Sequence, residues 1–290
     1  MGKWVIVLVA VAAALAAPSS LAQVVLAPAL FRSQALPANA ITSFTVTCAP
    51  GYVATSAGIS NPAPGVILLS IRPAGLRAYA FRFGNPVTNG DQRVTVVVSC
   101  RKLSSSAGKP RSTLKQRPVR FTAKVLPGKT SAVEFVCPSR TAPAGIGFDR
   151  SPSQRGRAYT PGAAARISVR RASMHLGGFS FVVFNGSASA QKVALYGNCL
   201  TVVRPAGSRP ERLAVKITTF RDLAGPGTQQ FTHVCPKGWV SLAAGYAVRS
   251  AQHTVEGATA ITNGGRWSVE NDAQTASIVE LQLVCAVLRR

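Results

Sequence analysis

The side chains that could carry out acid–base or metal chemistry are few and scattered. The three histidines, His175, His233 and His253, lie far apart in the chain, and nine carboxylates stand against 33 Lys and Arg. Hydrolysis needs a nucleophile beside a base, two facing carboxylates or a bound metal. His233 holds the alternating position that Val46 and Phe135 hold elsewhere, which indicates packing. We therefore expect a protein that is not an enzyme.

One pair of acids lies close together, at a predicted strand end. Glu270 and Asp272 flank Asn271, and their spacing puts both side chains on one face, where a weak cation site is conceivable. A solvated strand end is the interpretation we prefer. The glycine pairs Gly177-Gly178 and Gly264-Gly265 are typical of hairpin turns rather than phosphate-binding loops. No metal or cofactor is expected.

Six cysteines form the clearest pattern. The gaps between them alternate at 52, 37, 62, 36 and 50 residues, which indicates a repeated pair. Zinc is the rival explanation, but no C-x-x-C spacing is present. Each pair has inward-facing members on an early and a late strand, so we predict disulfides within each repeat. The predicted pairs are Cys48 with Cys100, Cys137 with Cys199, and Cys235 with Cys285.

The sequence around the cysteines repeats three times. A strand with period-two alternation precedes the first cysteine of each pair, and a turn containing Pro lies 9 to 11 residues upstream. An aromatic strand that ends at Asn85, Asn185 or Asn271 follows, and the closing Cys comes 14 or 15 residues later. Each copy holds six or seven strands without helical periodicity.

These features predict an all-β protein of three tandem disulfide-containing β-sandwich domains of immunoglobulin-like type. The alternative is a threefold β-prism. We expect a signal peptide at 1–22, repeat 1 at 23–103, a basic linker at 104–114, repeat 2 with a basic insertion at 115–204, and repeat 3 at 205–290.

Two resemblances follow from these motifs. The C-P-x-G start and the closing Cys resemble the repeats of egg vitelline-membrane outer-layer proteins, which implies the threefold prism. The segments Leu126-Pro127-Gly128, Val136-Cys137-Pro138 and Cys235-Pro236-Lys237-Gly238 resemble secreted tandem-repeat proteins of high-GC Gram-positive bacteria. Neither resemblance implies an activity.

The N-terminus predicts export. Lys3 precedes an apolar run over 4–17, and the small residues Ser20 and Ala22 suit cleavage after Ala22. That run is shorter than the roughly 20 residues that span a bilayer. We therefore expect a secreted or extracellular protein, associated with the cell envelope, without a transmembrane segment. An oxidising compartment also suits the paired cysteines.

The net charge of +24 is concentrated in the middle repeat and the linker before it, because residues 104–204 carry sixteen basic and two acidic side chains. On the strand around 120, we expect Val119 and Phe121 to face the core and Arg120 and Lys124 to share the outer face. An added Arg-rich loop follows residue 149, and loops on a rigid scaffold commonly bind ligands. The predicted polyanion-binding residues are Arg117, Arg120, Lys124, Arg150, Arg155, Arg157, Arg166, Arg170 and Arg171.

The sequence thus predicts a non-catalytic binding protein that engages an anionic cell-surface polymer, an acidic polysaccharide or extracellular nucleic acid through its middle repeat. Arg suits phosphate and carboxylate because its planar fork donates two parallel hydrogen bonds. The alternative is a structural or protein-interaction spacer whose charge serves only solubility.

Overall fold

The computed structural model describes residues 24–289 except 27–28, 62, 64, 88–89, 104–111, 151–165, 205, 207–210, 249–252 and 262. The described chain consists of strands, turns and loops, apart from a single 3₁₀ position at Arg166. The strands are β1 (Val24–Leu26), β2 (Leu30–Leu36), β3 (Ala40–Thr47), β4 (Val53–Asn61), β5 (Ile67–Pro73), β6 (Ala78–Asn85), β7 (Gln92–Leu103), β8 (Thr113–Val125), β9 (Thr130–Val136), β10 (Ala142–Asp149), β11 (Ile167–His175), β12 (Gly178–Asn185), β13 (Gln191–Val203), β14 (Arg212–Ala224), β15 (Gly227–Val234), β16 (Val240–Val248), β17 (His253–Ile261), β18 (Gly264–Asn271) and β19 (Ser277–Arg289).

Each repeat contributes six strands that pair by one scheme. The first strand pairs with the sixth, as in β2–β7, β8–β13 and β14–β19, and the third strand pairs with the other side of the sixth. The second and fourth strands flank the fifth in all three repeats. The short β1 extends the first strand of repeat 1, because it pairs with the far end of β7. The predicted threefold repetition is therefore present in the strand pairing.

The sheets cross the repeat boundaries, which corrects the prediction of separate immunoglobulin-like sandwiches. Strand β5 of repeat 1 pairs with β10 of repeat 2, and β11 of repeat 2 pairs with β16 of repeat 3. The result is four sheets, two of six strands, one of four and one of three. Each six-stranded sheet contains three strands from one repeat and three from the next. In separate sandwich domains, each strand pairs only with strands of its own domain. Here, strands of one repeat form backbone hydrogen bonds with strands of the next repeat.

The third boundary lies between β4 of repeat 1 and β17 of repeat 3. These two strands are not paired by backbone hydrogen bonds in the described structure. There the Ser99 hydroxyl donates to the carbonyl of Ala260, and the Ala260 amide donates to Ser56 Oγ at 3.3 Å. A glycine ten residues after the first cysteine lies at each boundary: Gly58, Gly147 and Gly245. A Cβ at Gly58 would lie 2.8 Å from the Ala258 carbonyl oxygen, and one at Gly245 would lie 2.8 Å from that of Ala172. The close approach of neighbouring backbones therefore requires glycine there.

Arg101 adds a buried clasp at this third boundary. Its side chain is fully buried and donates from Nε to the Ser241 carbonyl at 2.9 Å and from Nη2 to Ser241 Oγ at 3.1 Å. Further bonds reach the carbonyls of Ile261 at 3.2 Å and Cys100 at 3.0 Å. Burial lowers the pKa of Arg101 to about 10. The guanidinium thereby joins the last strand of repeat 1 to repeat 3.

The core is formed by alternating inward residues and is covalently fixed by the three disulfides. The predicted pairs Cys48–Cys100, Cys137–Cys199 and Cys235–Cys285 are confirmed, with Cα–Cα distances of 5.8, 5.7 and 5.8 Å. The expectation that Phe121 faces the core is wrong, because its side chain is 44% exposed on the edge strand β8. Arg120 and Lys124 share a face as expected, whereas Arg117 lies on the opposite face of that strand.

The asparagines that end the aromatic strands are buried caps. Asn85, Asn185 and Asn271 donate from Nδ2 to the carbonyls that end the first strand of their repeat, at 2.9 Å in each case. Their Oδ1 atoms accept from the backbone amide two residues later, at 3.1, 2.9 and 2.9 Å. The recurrence of Asn follows from this role, since one amide supplies a donor and an acceptor at once.

Candidate functional site

A cavity of about 730 Å³ is lined by residues of all three repeats. Its described lining includes Ile59, Asn61 and Phe83 of repeat 1. Repeat 2 contributes the segments at the end of β10 and the start of β11, and repeat 3 contributes one face of the sheet formed by β15, β18 and β17. The cavity therefore exists only because the three repeats pack together.

Three of the predicted basic residues meet in this cavity. Arg150 follows β10, Arg166 precedes β11 and Arg170 lies within β11, so all three flank the insertion of repeat 2. The Arg170 guanidinium lies over the Phe184 ring, 4.2 Å from its centroid, which holds the charge in place by a cation–π contact. The strand ends on either side of the insertion thus bring the arginines to one wall.

Arg150 is the most constrained of the three. Its guanidinium lies over the Phe148 ring at 5.1 Å, and its Nε is buried without a hydrogen-bond partner in the described structure. Burial lowers the pKa of Arg150, while the charge interaction with Tyr246 opposes that shift. A buried donor without a partner carries a desolvation cost of about 1 to 3 kcal/mol, and more when it is charged. A negative charge near the guanidinium would offset the cost of burying its positive charge.

The wall from repeat 3 is polar and carries one acid. Thr228 pairs with Glu270 and Gln230 pairs with Ser268 across β15 and β18, and all four side chains line the cavity. Trp267 precedes Ser268 on β18, so its side chain lies on the opposite face of the strand, where it is fully buried. Ser268 is only 5% exposed, and its Oγ has no hydrogen-bond partner in the described structure.

The other predicted basic residues that the structure describes are not part of the cavity lining. Arg117, Arg120 and Lys124 lie on β8, an edge strand, where the Arg120 guanidinium lies 5.7 Å from the Tyr196 ring centroid. Arg171 is exposed on β11, next to a bulge between Val169 and Arg171. Arg155 and Arg157 lie outside the described residues, as do the signal peptide at 1–22 and most of the basic linker at 104–114.

The sequence alone does not identify the polar wall or three buried charged residues. Thr228, Gln230 and Ser268 carry no distinctive motif, and the sequence pattern favours a solvated strand end for Glu270. Arg101 is a buried clasp, and Arg82 forms a buried ion pair with Asp149 at 3.0 Å across the boundary of repeats 1 and 2. The arrangement of the repeats, and not a local pattern, creates these contacts.

His233 and His175 make the described histidine side-chain contacts, and the two residues lie in different repeats. His233 Nε2 lies 2.7 Å from Asp222 Oδ2, and its ring stacks on Phe220 with centroids 3.8 Å apart. His175 is exposed beside a hairpin turn, where its Nδ1 accepts from the Gly177 amide at 3.3 Å. Among the described residues, no three His, Cys, Asp or Glu side chains lie close enough together to hold a metal ion.

Comparisons with known proteins assign no family to this chain. No family model matches the chain, and a search of curated proteins finds no match. In the described part of the chain, no helix has the length and apolar character needed to cross a membrane. The three disulfides fit an extracellular protein.

Proposed function

We propose that this protein is an exported, non-catalytic binding protein that holds an anionic group of an envelope or extracellular polymer in the cavity lined by Arg150, Arg166 and Arg170. The observation that carries the proposal is the buried, unpartnered Nε of Arg150 on the wall of that cavity. Phosphate and carboxylate are the groups that suit clustered guanidinium donors. The field of the net charge of +24 would attract such a polymer over long range.

Export is part of the same proposal. The apolar N-terminal run and the small residues before Gln23 support a cleaved signal, and three disulfides require an oxidising compartment to form and persist. A soluble product placed outside the cell would meet acidic envelope polymers directly. Binding through charge should then weaken as salt rises, since the Debye length falls to about 10 Å at 0.1 M.

We also propose that the fold that supports the cavity is a threefold prism. Ile59, Phe148 and Tyr246, which occupy the same position in the three repeats, surround one small void of about 30 Å³. Their convergence supports a pseudo-threefold axis. Four sheets would also suit a four-bladed propeller, but a propeller blade is built from consecutive strands, whereas the two six-stranded sheets here each join strands from two repeats. An axis of this kind explains why all three repeats line the cavity.

The test compares two double variants that remove the same charge from different places. Arg166→Ser with Arg170→Ser empties the cavity of two guanidinium groups, and Arg120→Ser with Lys124→Ser removes two cations from β8. We expect the cavity variant to weaken binding to poly(glycerol phosphate) or polygalacturonate by more than about tenfold, and the β8 variant to weaken it by less than about threefold.

Equal losses in the two variants would contradict the proposal and favour a general electrostatic surface. Absence of binding by the unmodified, disulfide-bonded protein to every acidic polymer would also contradict it, and would favour the structural spacer. Neutral dextran at the same salt concentration serves as the uncharged control.

A further inference from the structure

The cavity has two chemically different walls. In the part of the lining that repeat 2 contributes, Arg150, Arg166 and Arg170 offer only hydrogen-bond donors and positive charge. In the part that repeat 3 contributes, Glu270 and Ser268 lie on neighbouring positions of one face of β18, paired with Thr228 and Gln230 on β15. A purely anionic ligand would match the first wall and meet a carboxylate at the second.

The second wall needs a ligand that both donates and accepts hydrogen bonds. A carboxylate only accepts hydrogen bonds, so a group that binds Glu270 through its carboxylate must donate. Ser, Thr and Gln side chains both donate and accept, as the hydroxyl groups of a sugar or polyol do. An ammonium group would suit Glu270 alone, because it donates without accepting.

Ser268 supplies independent support for a ligand at this wall. The residue is 95% buried, it lines the cavity, and its hydroxyl has no hydrogen-bond partner in the described structure. A buried hydroxyl normally has a partner, and leaving one unpaired is costly. Ser268, with its unpartnered Oγ, and Arg150, with its unpartnered Nε, both line this cavity.

We infer that the cavity is specific for an anionic unit that also carries hydroxyl groups, such as a polyol phosphate or an acidic sugar. This inference rests on the proposed function and names the ligand class of that site. The arginines bind the phosphate or carboxylate, while Glu270, Ser268, Thr228 and Gln230 bind the hydroxyls. A linear anion without hydroxyls binds less tightly, because it leaves Ser268 unpaired and is repelled by Glu270.

The experiment measures dissociation constants for poly(glycerol phosphate) and for linear polyphosphate of matched phosphate count at one salt concentration. We expect the hydroxylated polymer to bind about tenfold more tightly, the factor typical of hydrogen bonds to a charged group. Polygalacturonate and hydroxyl-free polyacrylate form a second matched pair in which carboxylate replaces phosphate, so the shared hydroxyl requirement is separated from the kind of anion.

Glu270→Ala provides the decisive variant, since it changes the two affinities in opposite directions. Binding of poly(glycerol phosphate) weakens because an acceptor is lost, whereas binding of polyphosphate strengthens because a repelling charge is removed. Ser268→Ala lowers affinity for the hydroxylated polymer alone. Glu134→Gln is the control, because Glu134 is an exposed acid on β9 outside the cavity lining.

The outcomes separate the inference from the proposed function. Equal affinity for hydroxylated and hydroxyl-free polymers, with both depending on Arg166 and Arg170, overturns the inference and leaves the anion site standing. A preference that Glu134→Gln reduces as much as Glu270→Ala also overturns the inference. Absence of any binding that depends on these arginines overturns the proposed function itself.

Discussion

The buried asparagine caps allow one structural feature to be tested at three equivalent positions. In Asn185→Ala, the side chain that is removed donates from Nδ2 to the carbonyls of Val125 and Ser189, both at 2.9 Å. Its Oδ1 accepts from the amide and the hydroxyl of Ser187 at 2.9 and 2.6 Å. At about 1 kcal/mol for each hydrogen bond, the loss comes to about 4 kcal/mol.

For the equivalent substitutions in the other two repeats, the loss of stability should depend on the number and length of the hydrogen bonds that are removed. Asn271→Ala removes three bonds of 2.9 to 3.0 Å, which corresponds to about 3 kcal/mol. Asn85→Ala removes one accepted bond of 3.1 Å and three contacts of 2.9 to 3.4 Å that share the two hydrogens of Nδ2, so we expect a loss of about 2 to 3 kcal/mol. The order of stabilities is therefore Asn185→Ala lowest and Asn85→Ala highest.

Urea unfolding of the oxidised protein, followed by tryptophan fluorescence, measures these losses. Asn263→Ala is the matched control, because Asn263 is exposed in the turn before β18 and should change stability by less than about 0.5 kcal/mol. The reasoning is refuted if Asn185→Ala costs no more than Asn263→Ala, since a buried amide with four partners would then contribute nothing.

Further predictions concern the boundaries between repeats and the response to alkali. Arg101→Ala should cost about 4 kcal/mol in urea unfolding, because four hydrogen bonds to a buried guanidinium disappear; a loss below about 1 kcal/mol would show that the clasp is unimportant. Gly147→Val should abolish folded, soluble expression because its Cβ would collide with the Ile71 carbonyl, whereas Gly177→Ala should be tolerated. Burial raises the pKa of Tyr246 to about 12, so the protonated phenol stabilises the fold below pH 10 and that contribution, about 3 kcal/mol, is lost as the pH rises to 12. Tyr246→Phe should therefore show a shallower decline in stability from pH 10 to 12, and an unchanged slope would contradict this assignment.

Local periodicity in the sequence was sufficient for the class of fold and for the covalent framework. Alternating residues before each cysteine predicted strands, and the alternating gaps predicted pairs that the disulfides confirm. The strands and the disulfide pairs could be predicted from the sequence because they depend on side chains that are close in the chain or on a spacing that repeats. The asparagines were visible in the same way, although their capping role emerged only from their contacts.

The partner of each strand could not be read from the same pattern. A strand with one buried face satisfies the alternation whether its edge pairs within its own repeat or with the next repeat. The predicted sandwiches were wrong for that reason, since β5 pairs with β10 and β11 pairs with β16. The glycines Gly58, Gly147 and Gly245 marked these boundaries, but a glycine in a strand has several explanations.

The residues of the candidate site also divide into those that the sequence predicts and those that only the structure identifies. The distribution of charged residues along the sequence places the excess charge in the middle repeat and the linker before it. Arg150, Arg166 and Arg170 are among the residues that this distribution predicts to bind anions. Only the tertiary structure decided which basic residues share a cavity and which lie apart on β8, and it alone added Ser268 and Glu270 to the lining of that cavity. The physical reason is that charge and periodicity are properties of the chain, whereas a cavity between three repeats depends on long-range packing that no local pattern encodes.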